Sequence, residues 1–331
     1  MDEVKQTKQT SGGNSIMKKA LKFILISIGA ILVAIGVFLA IVYTVNIVCN
    51  KVENGKIESY GQLVPVDGKN MNVTIQGKGE ETVVLIPGFG TGAPGIDFKP
   101  LVEELSPFYK VVVIEPFGYG LSDVSDKERT IENIVAEIHE CLQKLNINRY
   151  TLMGHSIAGI YGLEYVNKYE SEVNAFVGID SSVPTQGGND DEFPTEIYQT
   201  LKKSGFYRLI MKLTPDQLIA PAVDDATREQ IRIISLKNAM NPNIISEGEN
   251  FQHNFKAAEN FKFPNKLPVI FFLQKSNTDV EGWIPLHEEQ IKDSVNGKLI
   301  ELEGEHYLHH TKSKEIVENF RSFMEKVESD K

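Results

Sequence analysis

Tyr150-Thr151-Leu152-Met153-Gly154-His155-Ser156-Ile157-Ala158-Gly159 is the stretch whose reading decides the fold. An apolar run stops at Gly154, and a helix pattern begins at once with Ile157, Ala158 and Gly159. A serine wedged between a strand and a helix sits on a sharp turn. Bulk two residues away would collide with that turn, so small neighbours are needed. Gly154, Ala158 and Gly159 meet this demand, in the pattern G-x-S-x-G with Ala158 at the second glycine. The same residues also fit a serine capping a helix N-terminus. The surrounding chain has to decide between the two.

Outward from this stretch, strands and helices alternate. Residues 62–66 and 70–76 read as two strands around an Asp67-Gly68 turn. Residues 82–86 (TVVLI) and 110–114 (KVVVI) are continuous apolar runs, as expected of strands buried on both faces. Residues 98–105 read as a helix. Residues 130–145 read as an amphipathic helix, with Thr130 as its N-cap and Asn133 three positions on. The helix after Ser156 runs to about 169, and 173–180 is another apolar strand. Residues 269–273 (VIFFL) and 298–302 add two more strands, with helices at 284–293 and 313–327. This alternation predicts a mostly parallel sheet with right-handed crossovers and helices on both faces. Ligand sites in such sheets lie at the carboxyl ends of the strands. The polar or glycine-rich runs 87–92, 115–123 and 303–310 all fall at such ends.

Residues 184–266 interrupt the pattern with helix-like pieces at 196–213, 226–239 and 246–261. An insertion of this size is either a lid over the site or a helical decoration.

The N-terminal region differs in kind. Residues 1–15 are polar and Gly/Ser-rich, which predicts no fixed structure. Lys18, Lys19 and Lys22 follow, and 23–48 then carry no charge at all. A helix over 23–43, at about 1.5 Å per residue, is long enough for about 30 Å of hydrocarbon. A cleaved signal peptide would have an apolar region of about 7–15 residues and an A-x-A-like exit, and this segment has neither. The lysines precede the span, so the N-terminus is expected in the cytoplasm and the rest outside. The expected organisation is a cytoplasmic tail (1–22), a single membrane span (23–48), a connector (49–61) and a folded body (62–331). The expected location is the cell membrane, single-pass.

Net charge is −11, with +3 on residues 1–50 and therefore −14 on the remainder. So acidic a body argues against nucleic-acid binding, which depends on neutralising phosphates. The two cysteines, Cys49 and Cys141, form no disulfide framework and no metal-binding spacing. No metal and no cofactor is expected.

From about 60 to 328 the chain resembles the α/β-hydrolase family. The motifs that carry the resemblance stand in the family's order: PGFG (87–90), EPFGYGLSD (115–123), GHSIAG (154–159) and GEH (304–306). Two positions depart from the family pattern: Pro87 stands where a histidine is usual, and Glu115 where an aspartate is usual. The resemblance implies an α/β-hydrolase fold with a helical lid over 184–266. It also implies residue roles. The chemistry needs a weak nucleophile, a base to activate it and a third group to orient the base. Ser156 would be the nucleophile and His306 the base, with His309 and His310 as alternatives nearer the closing helix. His155 would point elsewhere. Backbone N–H groups of Phe89 and Ile157 would form the oxyanion hole. The acid is Asp180, at the end of the strand after the serine helix, or Asp279, in a lengthened loop after 269–273. Serine rather than aspartate at the elbow argues against dehalogenases and epoxide hydrolases.

The expected activity is that of a membrane-anchored, cofactor-free serine hydrolase, carboxylesterase- or lipase-like. It would cleave a small, lipophilic ester through an acyl-enzyme. An amidase, a thioesterase or a C–C bond hydrolase would use the same parts, and a non-catalytic binding module could share the fold.

Overall fold

The computed structural model describes residues 11–188, 192–214, 219–277 and 279–329, with side chains from Ile16 onward. Eight strands form one sheet: β1 (Gln62–Val66), β2 (Lys69–Gln76), β3 (Thr82–Ile86), β4 (Lys110–Glu115), β5 (Tyr150–His155), β6 (Val173–Ile179), β7 (Val269–Gln274) and β8 (Gly297–Leu302). Their order across the sheet is β1-β2-β4-β3-β5-β6-β7-β8. The β1/β2 and β2/β4 pairs are antiparallel, and every other pair is parallel.

Successive side chains on a strand point to opposite faces, and the two cores follow that rule. Val84, Ile86, Val112 and Ile114 belong to one apolar cluster, and Val83, Leu85, Val111 and Val113 to the other. The first cluster is covered by α4 (Ile131–Lys144), α5 (Ala158–Lys168), α10 (Phe251–Ala258) and α11 (Trp283–Ile291). The second is covered by α3 (Lys99–Leu105) and α13 (Ser313–Ser329). Both faces being buried explains why the central strands are apolar without alternation. Thr130 caps α4 as its position predicts, its side chain accepting from the Asn133 N–H.

Between β6 and β7 lie α6 (Thr195–Ser204), α7 (Phe206–Leu213), α8 (Asp225–Asn238), α9 (Pro242–Glu249) and α10. Two pieces that read as single helices in sequence are each two. Gly205, with φ 88°, breaks the first; Asn250 separates α9 from α10. The helix α9 also begins earlier than its apolar pattern suggests, because Asn241 caps it and Pro242 occupies its first turn. Two short helices flank the sheet's carboxyl end, α2 (Pro94–Asp97) and α12 (Leu308–Thr311).

The chain starts with α1 (Ser11–Asn54), 44 residues long. The unstructured tail expected over 1–15 is helical from Ser11, and residues 1–10 lie outside the described residues. The helix also runs through the first half of the expected connector. The stretch Ile16–Asn54 has a mean hydropathy of 3.0 over its most apolar window, so it is long and apolar enough to cross a membrane.

Candidate active site

The site is built from the ends of β3, β5, β6 and β8. At the end of β5, Ser156 has φ 56°, a conformation that costs about 1–3 kcal/mol for a residue other than glycine. The surrounding small residues make that turn possible. A Cβ on Gly154 would come within 3.0 Å of Ala158, and one on Gly159 would collide with the Ser182 carbonyl. Backbone bonds fix the turn from the other side: the Ser156 N–H donates to Ile179 O (3.2 Å), and Ser156 O accepts from the Ser182 N–H (2.8 Å). The helix that begins beside Ser156 is not capped by its side chain. The G-x-S-x-G reading therefore describes this turn, and the capping reading does not.

The loop after β3 presses against the same turn. A Cβ on Gly88 would stand 2.9 Å from Ser156 Cβ and 2.7 Å from His155 Nδ1. Only a glycine lets the next peptide, that of Phe89, come so near. Among the described residues, no acceptor engages the backbone N–H of Phe89 or that of Ile157.

His306 lies in the loop between β8 and α12. Its Nδ1–H donates to Asp180 Oδ2 at 2.7 Å, leaving Nε2 free of any partner among the described residues. Asp180 is fully buried at the end of β6, with φ 41°. Its other oxygen, Oδ1, accepts from Trp283 Nε1–H (3.0 Å) and from the Gln274 N–H (2.9 Å). Asp279, the alternative acid, is exposed, and its N–H donates to its own loop at Asn277 Oδ1 (2.9 Å). The structure brings Asp180 and His306 together and leaves Asp279 at the surface. Ser156 and His306 form no hydrogen bond with each other, and such bonds often tighten only when substrate binds.

His155 turns away from the cleft. Its Nε2 bonds the His306 carbonyl (3.1 Å), and its ring lies 4.6 Å from the His306 ring. Burial pushes its pKa well below the usual value, so it stays neutral and donates. It props the loop that carries His306.

A cavity of about 330 Å³ adjoins the cleft, within the size range of small-ligand sites. Ser156 and His306 do not line it, but Phe89, Tyr119 and Tyr307 do, opposite Tyr207, Met211 and Ile231 of the insertion.

Sequence comparison agrees with this architecture. Residues 81–208 match the family model described as alpha/beta hydrolase fold. A Bacillus subtilis (strain 168) protein, YbdG, is 27% identical over 322 residues, covering 93% of this chain and 98% of its own. The 2-hydroxy-6-oxo-6-(2'-aminophenyl)hexa-2,4-dienoic acid hydrolase of Metapseudomonas resinovorans is 25% identical over 181 residues, 54% of this chain and 60% of that one. The chain has the α/β-hydrolase fold. The crystal structure of a membrane phospholipase A superposes with a TM-score of 0.58 at 15% identity, covering 93% of this chain and 99% of the other. At that identity it shares the fold. The protein is a hydrolase with this fold.

The hydrolase's two departures from the family pattern have different outcomes. Glu115, in place of aspartate, is a fully buried latch. It accepts from Tyr60 OH (2.7 Å), the Gly95 N–H (2.8 Å), Asn72 Nδ2 (2.9 Å) and the Leu121 N–H (2.7 Å). Burial raises its pKa, against the pull of those four donors. The longer side chain is accommodated because residue 120 is glycine; a Cβ there would overlap the carboxylate. Nothing in the structure explains Pro87.

Two groupings are not visible in the sequence. Glu247 of α9 is buried and accepts from Tyr119 OH and Tyr161 OH, both at 2.7 Å. Tyr119 OH in turn accepts from the Gly90 N–H (3.3 Å), so the insertion supports the loop that bears Phe89. Asp97 of α2 pairs with both alternative histidines. Its carboxylate accepts from His309 Nε2 (3.2 Å) and His310 Nε2 (3.1 Å), and all three are buried. Burial raises the Asp97 pKa, but the two histidine hydrogen bonds outweigh it and hold it at about 2. Burial lowers His309 to about 4. His309 and His310 are thus committed to tying α2 to α12. By residue type the trio could hold a cation, but the atoms that would ligate it are engaged with one another.

Proposed function

We propose that this hydrolase is a membrane-anchored serine hydrolase that cleaves a lipophilic ester through an acyl-enzyme. The observation that carries the reading is the 2.7 Å His306–Asp180 bond beside a serine at φ 56°. His306 Nε2 takes the Ser156 proton as Oγ attacks the ester carbonyl. The N–H groups of Phe89 and Ile157 receive the negative charge of the tetrahedral intermediate. Its collapse expels the alcohol, which takes the proton from His306. Water gives one proton to the same imidazole as its oxygen attacks the acyl-serine, and collapse of that intermediate releases the acid and expels Oγ, which takes the proton back from His306. Asp180 orients the imidazole and stabilises its charged form.

The anchor is the apolar part of α1, and the three lysines before it orient the body away from the cytoplasm. An apolar cavity beside the cleft, closed by a helical insertion that serves as a lid, favours a substrate with an acyl chain. The test is labelling of membranes containing the full chain with a fluorophosphonate probe, wild type against Ser156→Ala. Label that depends on Ser156 is expected; its absence overturns the reading. Chromogenic esters of increasing chain length then define the acyl preference.

A further inference from the structure

The lid is fastened to the anchor. Phe38, Val42, Asn46, Asn50 and Glu53 recur every three or four positions and so share one face of α1. Among the described side chains of α1, Val42 and Asn46 alone are buried. The lid covers them. The Phe38 and Phe206 rings are 6.1 Å apart. Gly205, between α6 and α7, lies so close that a Cβ would stand 2.7 Å from Asn46 Cβ and 2.9 Å from Val42 O. Asn46 Nδ2 donates to Lys202 O (3.4 Å).

Arg208 of α7 holds the same face through all its nitrogens. It donates to Asn46 Oδ1 (3.2 Å), Asn50 Oδ1 (2.6 Å) and Glu53 (2.8 Å). Glu53 also accepts from Arg232 of α8 (3.0 Å). The Glu53 and Arg208 side chains are 13% and 10% exposed, so water screens their pairing little. One carboxylate therefore lies between two guanidinium groups. Arg232 also pairs with Glu229, so without Glu53 it is chiefly the Arg208 charge that would be left uncompensated at this half-buried contact.

The other face of α7 looks into the cavity. Tyr207 and Met211 line it, as does Arg232. The far wall is formed by Phe89 and Tyr307, beside the groups assigned to catalysis. The wall that an acyl chain would touch is thus supported from behind by α1.

We propose that the anchor helix is the fixed support of the acyl pocket: Glu53, by holding Arg208 and Arg232, positions α7 and α8 and thereby sets which acyl chains fit. This rests on the serine-hydrolase reading for its substrate class. Glu53 touches neither the cavity nor the catalytic groups, so it acts as a positioning residue.

The test uses the full chain in lipid nanodiscs, with wild type, Glu53→Ala and Arg208→Lys. Two readouts are taken: the ratio of kcat/KM for p-nitrophenyl decanoate to that for the acetate, and hydrogen exchange of the α7 amides. In Glu53→Ala the wall must be ordered each time a chain binds, so the decanoate-to-acetate ratio should fall about tenfold. Acetate turnover should stay within about twofold, because no interaction with the reacting atoms is lost. The α7 amides should exchange faster. An unchanged ratio with unchanged α7 exchange overturns the proposal. If Glu53→Ala also loses fluorophosphonate labelling, it has unfolded, and Arg208→Lys, which keeps the charge but not the fork of bonds, decides by the same two readouts. If wild type itself is not labelled, the hydrolase reading fails, and α7 exchange still decides whether Glu53 holds the lid.

Discussion

Replacing Asp180 by asparagine separates orientation from packing, because the two oxygens of its carboxylate have different partners. Oδ1 takes both structural donors, Trp283 Nε1–H and the Gln274 N–H. Among the described residues, Oδ2 takes only His306. An asparagine can keep its carbonyl oxygen on the two structural donors, and its NH2 then faces His306 Nδ1. Two donors cannot share that contact. The imidazole must move its proton to Nε2, and it can no longer accept from Ser156. Turnover should fall by about 10⁴, roughly 5.5 kcal/mol of transition-state stabilisation. Stability should change little by comparison, since one charge-assisted bond of about 1.5–3 kcal/mol is replaced by a neutral one. The assay is steady-state hydrolysis of a p-nitrophenyl ester, with the melting temperature measured on the same preparation. Asp279→Asn is the control: its side chain is exposed and away from His306, so activity should remain within about twofold. An Asp180→Asn protein with more than a tenth of wild-type turnover, or an Asp279→Asn protein that loses activity, refutes the reasoning.

Glu247→Ala leaves the hydroxyls of Tyr119 and Tyr161 without their acceptor, at about 1–3 kcal/mol each. The melting temperature and kcat should both fall, with Glu247→Gln intermediate in the same two measurements. Gly120→Ala would drive a methyl group into the Glu115 carboxylate, so thermal unfolding should occur well below that of wild type. Acid stability should decline in two joined windows. His309 has a folded pKa of about 4 against 6.5 unfolded, so its contribution is complete above 6.5 and is lost as pH falls towards 4. Asp97, at about 2 against 3.8, contributes above 3.8 and loses its contribution as pH falls through 2. Melting temperature against pH should therefore begin to drop near 6.5, and His309→Gln should flatten the upper window. Alkaline phosphatase fused after residue 331 should be active and a cytoplasmic reporter inactive there; the reverse result refutes the orientation.

What could be read from the chain before folding depended on how local the signal was. Apolar runs such as TVVLI and KVVVI announce strands buried on both faces, because the sheet itself imposes that composition. The turn at Ser156 is equally local, since its steric demand falls on Gly154, Ala158 and Gly159. The partner of His306 is a different matter. Asp180 and Asp279 both stand near carboxyl ends of neighbouring strands, and only the path of the loop after β7 separates them. Asp97 and His309 are 212 residues apart, and no pattern in one dimension joins them. The helices of the insertion were legible as helices, but their breaks were not. A glycine within a helical pattern is tolerated often enough that Gly205 is not an obvious stop. Its left-handed turn is explained by what lies beneath it, the face of α1 around Asn46.

That face gives α1 a phase. An α-helix turns about 100° per residue, so one residue inserted between Phe38 and Glu53 would rotate part of the contact stripe by about 100° around the helix. Asn46 and Glu53 could not then both meet α7. The same insertion before Phe38 would leave the stripe intact and shift only the apolar stretch, by about 1.5 Å along the axis. The two halves of one uninterrupted helix therefore tolerate change differently. The first needs only to stay helical and apolar, while the second must keep its register with a domain far away in sequence.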